Sequence, residues 1–259
     1  MIQTTYSAPV DALLRIGKAR IKRWPDYLEK FNLTAIDIPE LIRMATDSDL
    51  NFASSDSLEV WAPIHAWRAL GQLKAEAAIA PLISVFNEME ENEWFREEIQ
   101  DVFAMIGPAS IPELADFLAN PSNLFYVRWV SAETLVKICQ KYPSTRDACL
   151  NVFVKQLEQY PKNSREINGA IICSLLDIEG SEATALMEAA FSAKRVDTSI
   201  SGDWIDVQQQ LGLLTRTEVA ELRHYVDAEQ VGSKAMKLRD STIGFGRGVK
   251  TFGKGKKRK

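Results

Sequence analysis

The chain has 259 residues, 46% hydrophobic and 25% charged, with 13 glycines and 10 prolines. This excludes a fibrous, low-complexity or wholly disordered protein and leaves one domain of about 200–250 residues or two smaller ones. Three cysteines without a C-x-x-C pair exclude a disulfide framework, and no apolar run nears the roughly 20 residues of a membrane span. The start lacks the basic-then-apolar order of a secretory signal, so the chain reads as cytoplasmic and without a membrane span. The formal net charge of −4 is uneven. From Lys234 onward, ten Lys and Arg stand against the single acid Asp240, a net of +9, which leaves 21 basic and 34 acidic residues, a net of −13, in the body.

Residues 8–31 carry a helical stripe at Val10, Leu13, Leu14 and Ile21, broken at Trp24-Pro25-Asp26, and 1–35 read as N-terminal capping helices. From 36 to 214 one plan recurs. Val60, Ile64, Trp67 and Leu70 form a buried stripe at helical spacing, and after a short turn Ile79, Leu82, Ile83 and Phe86 form a second. Phe95, Ile99, Val102, Phe103 and Ile106 lead through Gly107-Pro108 to Ile111, Leu114 and Leu118. Val127, Val130, Thr134 and Ile138 then lead to Cys149, Val152, Phe153 and Leu157, and Ile167, Ala170, Ile171 and Ile178 lead to Ala183, Leu186, Met187, Ala190 and Phe191. Gly71 and Gly107 lie 36 residues apart, Ile106 and Ile138 32, and Ile138 and Ile178 40, near the period of two-helix repeats.

The pairs Asp37/Glu40 and Ser110/Glu113, with Pro39 and Pro112 in the first turn, predict capping boxes at two second helices. Residues 192–204 read as a loop in which Asp203 caps a further helix, and 215–231 hold one more. Residues 232–259 read as a disordered basic tail rich in Gly and Lys. Strand signals are nearly absent, so the expected fold class is all-α.

The segments AWRALGQLKAEAAIAPLISVF and VFAMIGPASIPELADFL resemble HEAT repeats, specifically the short subtype of phycobilisome lyases. That subtype runs from an Ala/Leu-rich helix through a Gly turn to Ala-Ile-Pro-x-Leu. The resemblance covers about 36–191, and the third and fourth units lack both the Gly turn and the Pro. It implies an αα superhelix, a HEAT-like solenoid with a concave face of the kind that mostly serves as a binding surface.

Residues able to carry chemistry are few. With only His65 and His224 and single cysteines, no metal site, cofactor or catalytic nucleophile is expected; Cys139, Cys149 and Cys173 read as small buried hydrophobes and His65 as a ring packed at the core edge. GFGRG at 244–248 lacks the strand and helix of a phosphate loop. Some HEAT-like proteins are DNA glycosylases that use aromatic and Arg residues on a basic face, and Arg23-Trp24, Trp67-Arg68 and Arg128-Trp129 carry those residue types. Sequence neighbours point about 100° apart on a helix, however, so these pairs read as core Trp with solvated Arg. The acidic run at 88–101 reads as a solvated turn or a site for a basic partner, and the tail holds the bases and aromatics of non-specific RNA binding. The tail's Lys-rich end also resembles that of the SEC-C zinc module, but the module's cysteines are missing, so no metal is implied.

The leading expectation is a non-enzymatic interaction scaffold that binds a protein partner on the concave face. Arg68, Glu90, Glu91, Glu93 and Arg128 are its candidate contacts on the body, and Arg247, Phe252, Lys254, Lys256, Lys257, Arg258 and Lys259 those in the tail. The alternative is a nucleic-acid or ribosome-associated protein that works through the tail. A HEAT-fold lyase or glycosylase is the third reading.

Overall fold

A computed structural model describes residues 5–19 and 24–225. Among these the chain is helical and contains no strand. The tail residues Arg247, Phe252, Lys254, Lys256, Lys257, Arg258 and Lys259, like the expected disorder of 232–259, lie outside the described residues. The chain divides into two compact units, Met1–Val207 and Gln208–Lys259.

The first unit opens with a 3₁₀ turn at Val10–Arg15, then α1 (Tyr27–Phe31), α2 (Ile38–Ala45) and α3 (Ser48–Asn51). Four longer helix pairs follow: α4 (Ala62–Gln72) with α5 (Ile79–Ser84), α6 (Glu93–Ile106) with α7 (Ile111–Ala119), α8 (Phe125–Lys141) with α9 (Arg146–Glu158), and α10 (Arg165–Asp177) with α11 (Thr184–Ser192). The segment after Phe191, expected as a loop, contains the short helix α12 (Thr198–Ser201), which Asp197 caps. In α13 (Trp204–Gln210) the Asp203 carboxylate accepts from the Asp206 amide at 3.0 Å while Asp206 accepts from the Asp203 amide, the cap expected of Asp203. The second unit holds a helix over 216–225, which opens on a reciprocal Thr215/Glu218 cap.

One local device recurs. A three-residue 3₁₀ turn runs directly into α2, α5, α7, α9 and α11, and these turns start 41, 32, 35 and 38 residues apart. It also corrects the expected caps. Asp37 and Ser110 close such turns with αR backbone (φ/ψ −84°/−7° and −78°/−16°), so neither is extended as a cap must be and neither caps its helix. The true box lies three residues earlier at the first site, where Thr34 caps the turn and Asp37 reaches back to its amide. At the second site the Ser110 hydroxyl is left buried without a partner.

The first helices of the pairs pack side by side, α4 on α6, α6 on α8 and α8 on α10, with α2 packed on α4 and α12 on α10, while α5, α7, α9 and α11 pack in the same succession. The apolar stripes supply the packing. Phe86 meets Phe95, Phe103 and Phe117 edge-on at centroid distances of 4.9 to 5.7 Å, and Trp67 meets Phe95 at 5.8 Å. Gly71 makes no turn; it lies inside α4 and faces α6 so closely that an added Cβ would stand 3.3 Å from Val102 Cα. Gly107, at φ +104°, is a true corner in a region that favours glycine.

Candidate functional site

From Ala62 to Gly71 every residue of α4 is buried, because α1, α2 and α6 enclose it on different sides. An all-buried helix must satisfy any polar side chain internally, and α4 carries two, His65 and Arg68, three residues apart on one face. Arg68 Nε donates to Glu98 Oε2 of α6 at 2.6 Å, and Nη2 donates to Glu98 Oε1, a bidentate pair with both side chains inaccessible to water. Arg68 Nη1 also donates to the Tyr27 hydroxyl at 3.4 Å, and the guanidinium lies 5.0 Å from the Trp24 ring. His65 Nε2 sits 2.8 Å from the Gly17 carbonyl, which can only accept, so that nitrogen carries the proton and Nδ1 accepts from the Tyr27 hydroxyl at 2.6 Å. Burial holds the imidazole neutral, with its pKa lowered to about 4, and raises that of the Tyr27 phenol. The network ties Gly17 and α1 to α4 and α6. It serves the core. Arg68, expected on a solvated or partner-binding surface, is corrected to a core residue.

Arg128 departs from the same expectation in a different way. It lies on α8 at 6% exposure, where Nε donates to the Leu118 carbonyl at 2.8 Å. No carboxylate pairs with it and its two terminal nitrogens have no partner among the described residues. Burial alone therefore pulls its pKa down. The side chain lines a cavity of about 570 Å³ built from the end of α7 (Ala115, Asp116, Ala119), Pro121, the end of α9 (Val152, Lys155, Gln156, Gln159) and the turn Lys162-Asn163-Ser164 that opens α10. Hydrogen bonds fix this turn. Asn163 Nδ2 donates to the Gln156 carbonyl at 2.8 Å and to Asn168 Oδ1 at 2.9 Å, Asn168 Nδ2 donates to the Tyr160 and Arg195 carbonyls, and Ser164 caps α10. Three cations, Arg128, Lys155 and Lys162, face one carboxylate, Asp116, in a body that is otherwise acidic.

Comparison with family models, with curated proteins and with solved structures finds no match.

A second cavity of about 570 Å³ lies between α6 and α8, lined by Trp24, Asp101, Ala104, Met105, Lys137, Gln140 and Lys141, with Lys137 paired to Asp101 at 2.7 Å. The acidic run is divided. Glu91 and Glu93 are exposed, Glu90 accepts from the Tyr126 amide at 3.3 Å, and Glu98 is withdrawn into the core pair with Arg68. Cys139 and Cys149 are buried and Cys173 is half-buried, its sulfur turned to the Ile200 carbonyl. Burial pushes the Cys149 and Cys173 thiols up to about 11, which makes them inert as nucleophiles. Among the described residues no group of three His, Cys, Asp or Glu side chains could hold a metal ion. No single described helix is long and apolar enough to cross a membrane; α6 and 108–119 pass by composition only as a pair bent by 115°.

Proposed function

We propose that the chain is a HEAT-like αα array that works as a non-enzymatic scaffold, taking a protein partner along the face shared by its first helices. The observation that carries this reading is the unbroken succession of first helices, α4 on α6 on α8 on α10, with a cavity between α6 and α8. Its rim combines an aromatic side chain, Trp24, with both signs of charge in Asp101, Lys137 and Lys141, the mixed lining found where proteins meet. Arrays of stacked helix pairs present extended surfaces of this kind. The exposed carboxylates Glu91 and Glu93 favour a partner with a basic patch.

The test is affinity capture from lysate with the full chain and with a chain ending at Gly232, at low and moderate salt, together with a Lys137→Glu variant. The scaffold reading expects one discrete protein from both chains, resistant to nuclease and lost in the variant. The basic tail supports a second reading, association with RNA or ribosomes, because its +9 charge attracts phosphate backbones. Recovery of RNA or ribosomal proteins only with the tail, and only at low salt, would replace the first reading by the second.

A further inference from the structure

We propose that the cavity around Arg128 is a binding site for a phosphoryl dianion carried on a small organic molecule. A buried guanidinium is costly unless an anion answers it. This chain answers its fully buried guanidinium, Arg68, with Glu98. Arg128 has no such carboxylate, and what its terminal nitrogens meet is the cavity. Lys155 and Lys162 add two exposed cations at the same cavity, and against Asp116 the three leave a surplus of two positive charges, which matches a dianion rather than a monocarboxylate. The planar fork of an arginine suits two phosphoryl oxygens at once.

The site is also held in shape. Asn163 is bonded on both sides to Gln156 and Asn168, so the turn does not need to form when a ligand arrives. The α10 N-terminus begins beside this lining, and its positive dipole end adds to the field there. About 570 Å³ is more than a bare phosphate fills and lies in the range of small-molecule sites, and the apolar part of the wall offers the remaining space to a carbon skeleton. This site does not rest on the scaffold reading.

The experiment is calorimetric titration of the full chain at constant ionic strength with phenyl phosphate, inorganic phosphate and acetate. The expected result is saturable one-site binding of phenyl phosphate, none of acetate, and affinity at least tenfold lower in Arg128→Met and in Lys155→Gln/Lys162→Gln. Tighter binding of phenyl phosphate than of inorganic phosphate is expected; equal or weaker binding of the ester overturns the organic part of the proposal and leaves free phosphate as the ligand. Absence of saturable binding overturns the proposal, as does affinity unchanged in both variants, which would move the anion to the basic C-terminal segment. Should Arg128→Met fail to fold, the double lysine variant at exposed positions decides, and full affinity there overturns the proposal.

Discussion

Arg68 and Glu98 illustrate how a buried ion pair is bound by its environment. With both side chains withdrawn from water, Glu98→Gln takes the formal counter-charge from a buried guanidinium, and it should lower stability by about 3–5 kcal/mol in urea unfolding. The double variant Arg68→Met/Glu98→Leu should recover most of that loss, and a double variant as unstable as the single would refute the account. Ser110 is the opposite case, a buried hydroxyl that bonds to nothing. Replacing it with Ala should raise the urea midpoint, with a gain of about 1 kcal/mol, and a lowered midpoint would show that the hydroxyl has a partner. The sequence placed Trp67 in the core but sent Arg68 to solvent. That reading assumed a helix with one wet face, and α4 has none, so the neighbour 100° away is buried as well.

At the scale of elements, the apolar stripes were legible. Ile64, Trp67 and Leu70 on α4, Phe95, Ile99 and Val102 on α6, and Val127, Val130 and Ile138 on α8 are all buried as their spacing predicts. The starts of the second helices were not, because a 3₁₀ turn shifts the extended residue that can cap, and the Ser-x-x-Glu pattern does not register that shift. Gly71 was legible as a landmark but not as a role, since a glycine at a turn and one at a helix crossing look alike in sequence. Gly71→Ala would press a methyl against the α6 backbone at Val102, where nothing flexible can give way. A loss of about 1–3 kcal/mol in urea unfolding is expected; an unchanged midpoint would show that α4 and α6 can part without cost. The Arg128 cavity was beyond sequence reading for a related reason. Its lining runs from Ala115 to Ser164 over three helices and two turns, with no spacing that a motif could show.

Across the Met1–Val207 unit, stability should depend on pH through His65. The folded pKa of about 4 lies below the ordinary 6.5, so between these values the unfolded chain binds the extra proton. Stability from this group is therefore full above pH 6.5 and is lost as pH falls toward 4, by about 3 kcal/mol. Glu133 and Asp177 act against it. Burial raises both carboxyls, so the stability they contribute is present in acid and is lost as pH rises through their folded values. Total stability mixes these slopes, and the difference between the native chain and His65→Gln isolates the imidazole. That difference should shrink steadily from pH 6.5 to 4; a constant difference would mean that His65 does not titrate on unfolding.

The enclosure of α4 has a consequence for how this unit opens. From Ala62 to Gly71 the helix meets neighbours on every side, so no fraying of one end delivers its amides to water. Those amides should be the last in the unit to take up deuterium, at a rate that reports complete opening, while amides at the exposed start of α9 exchange through local excursions. A label on α4 would thus act as a clock for the whole unit.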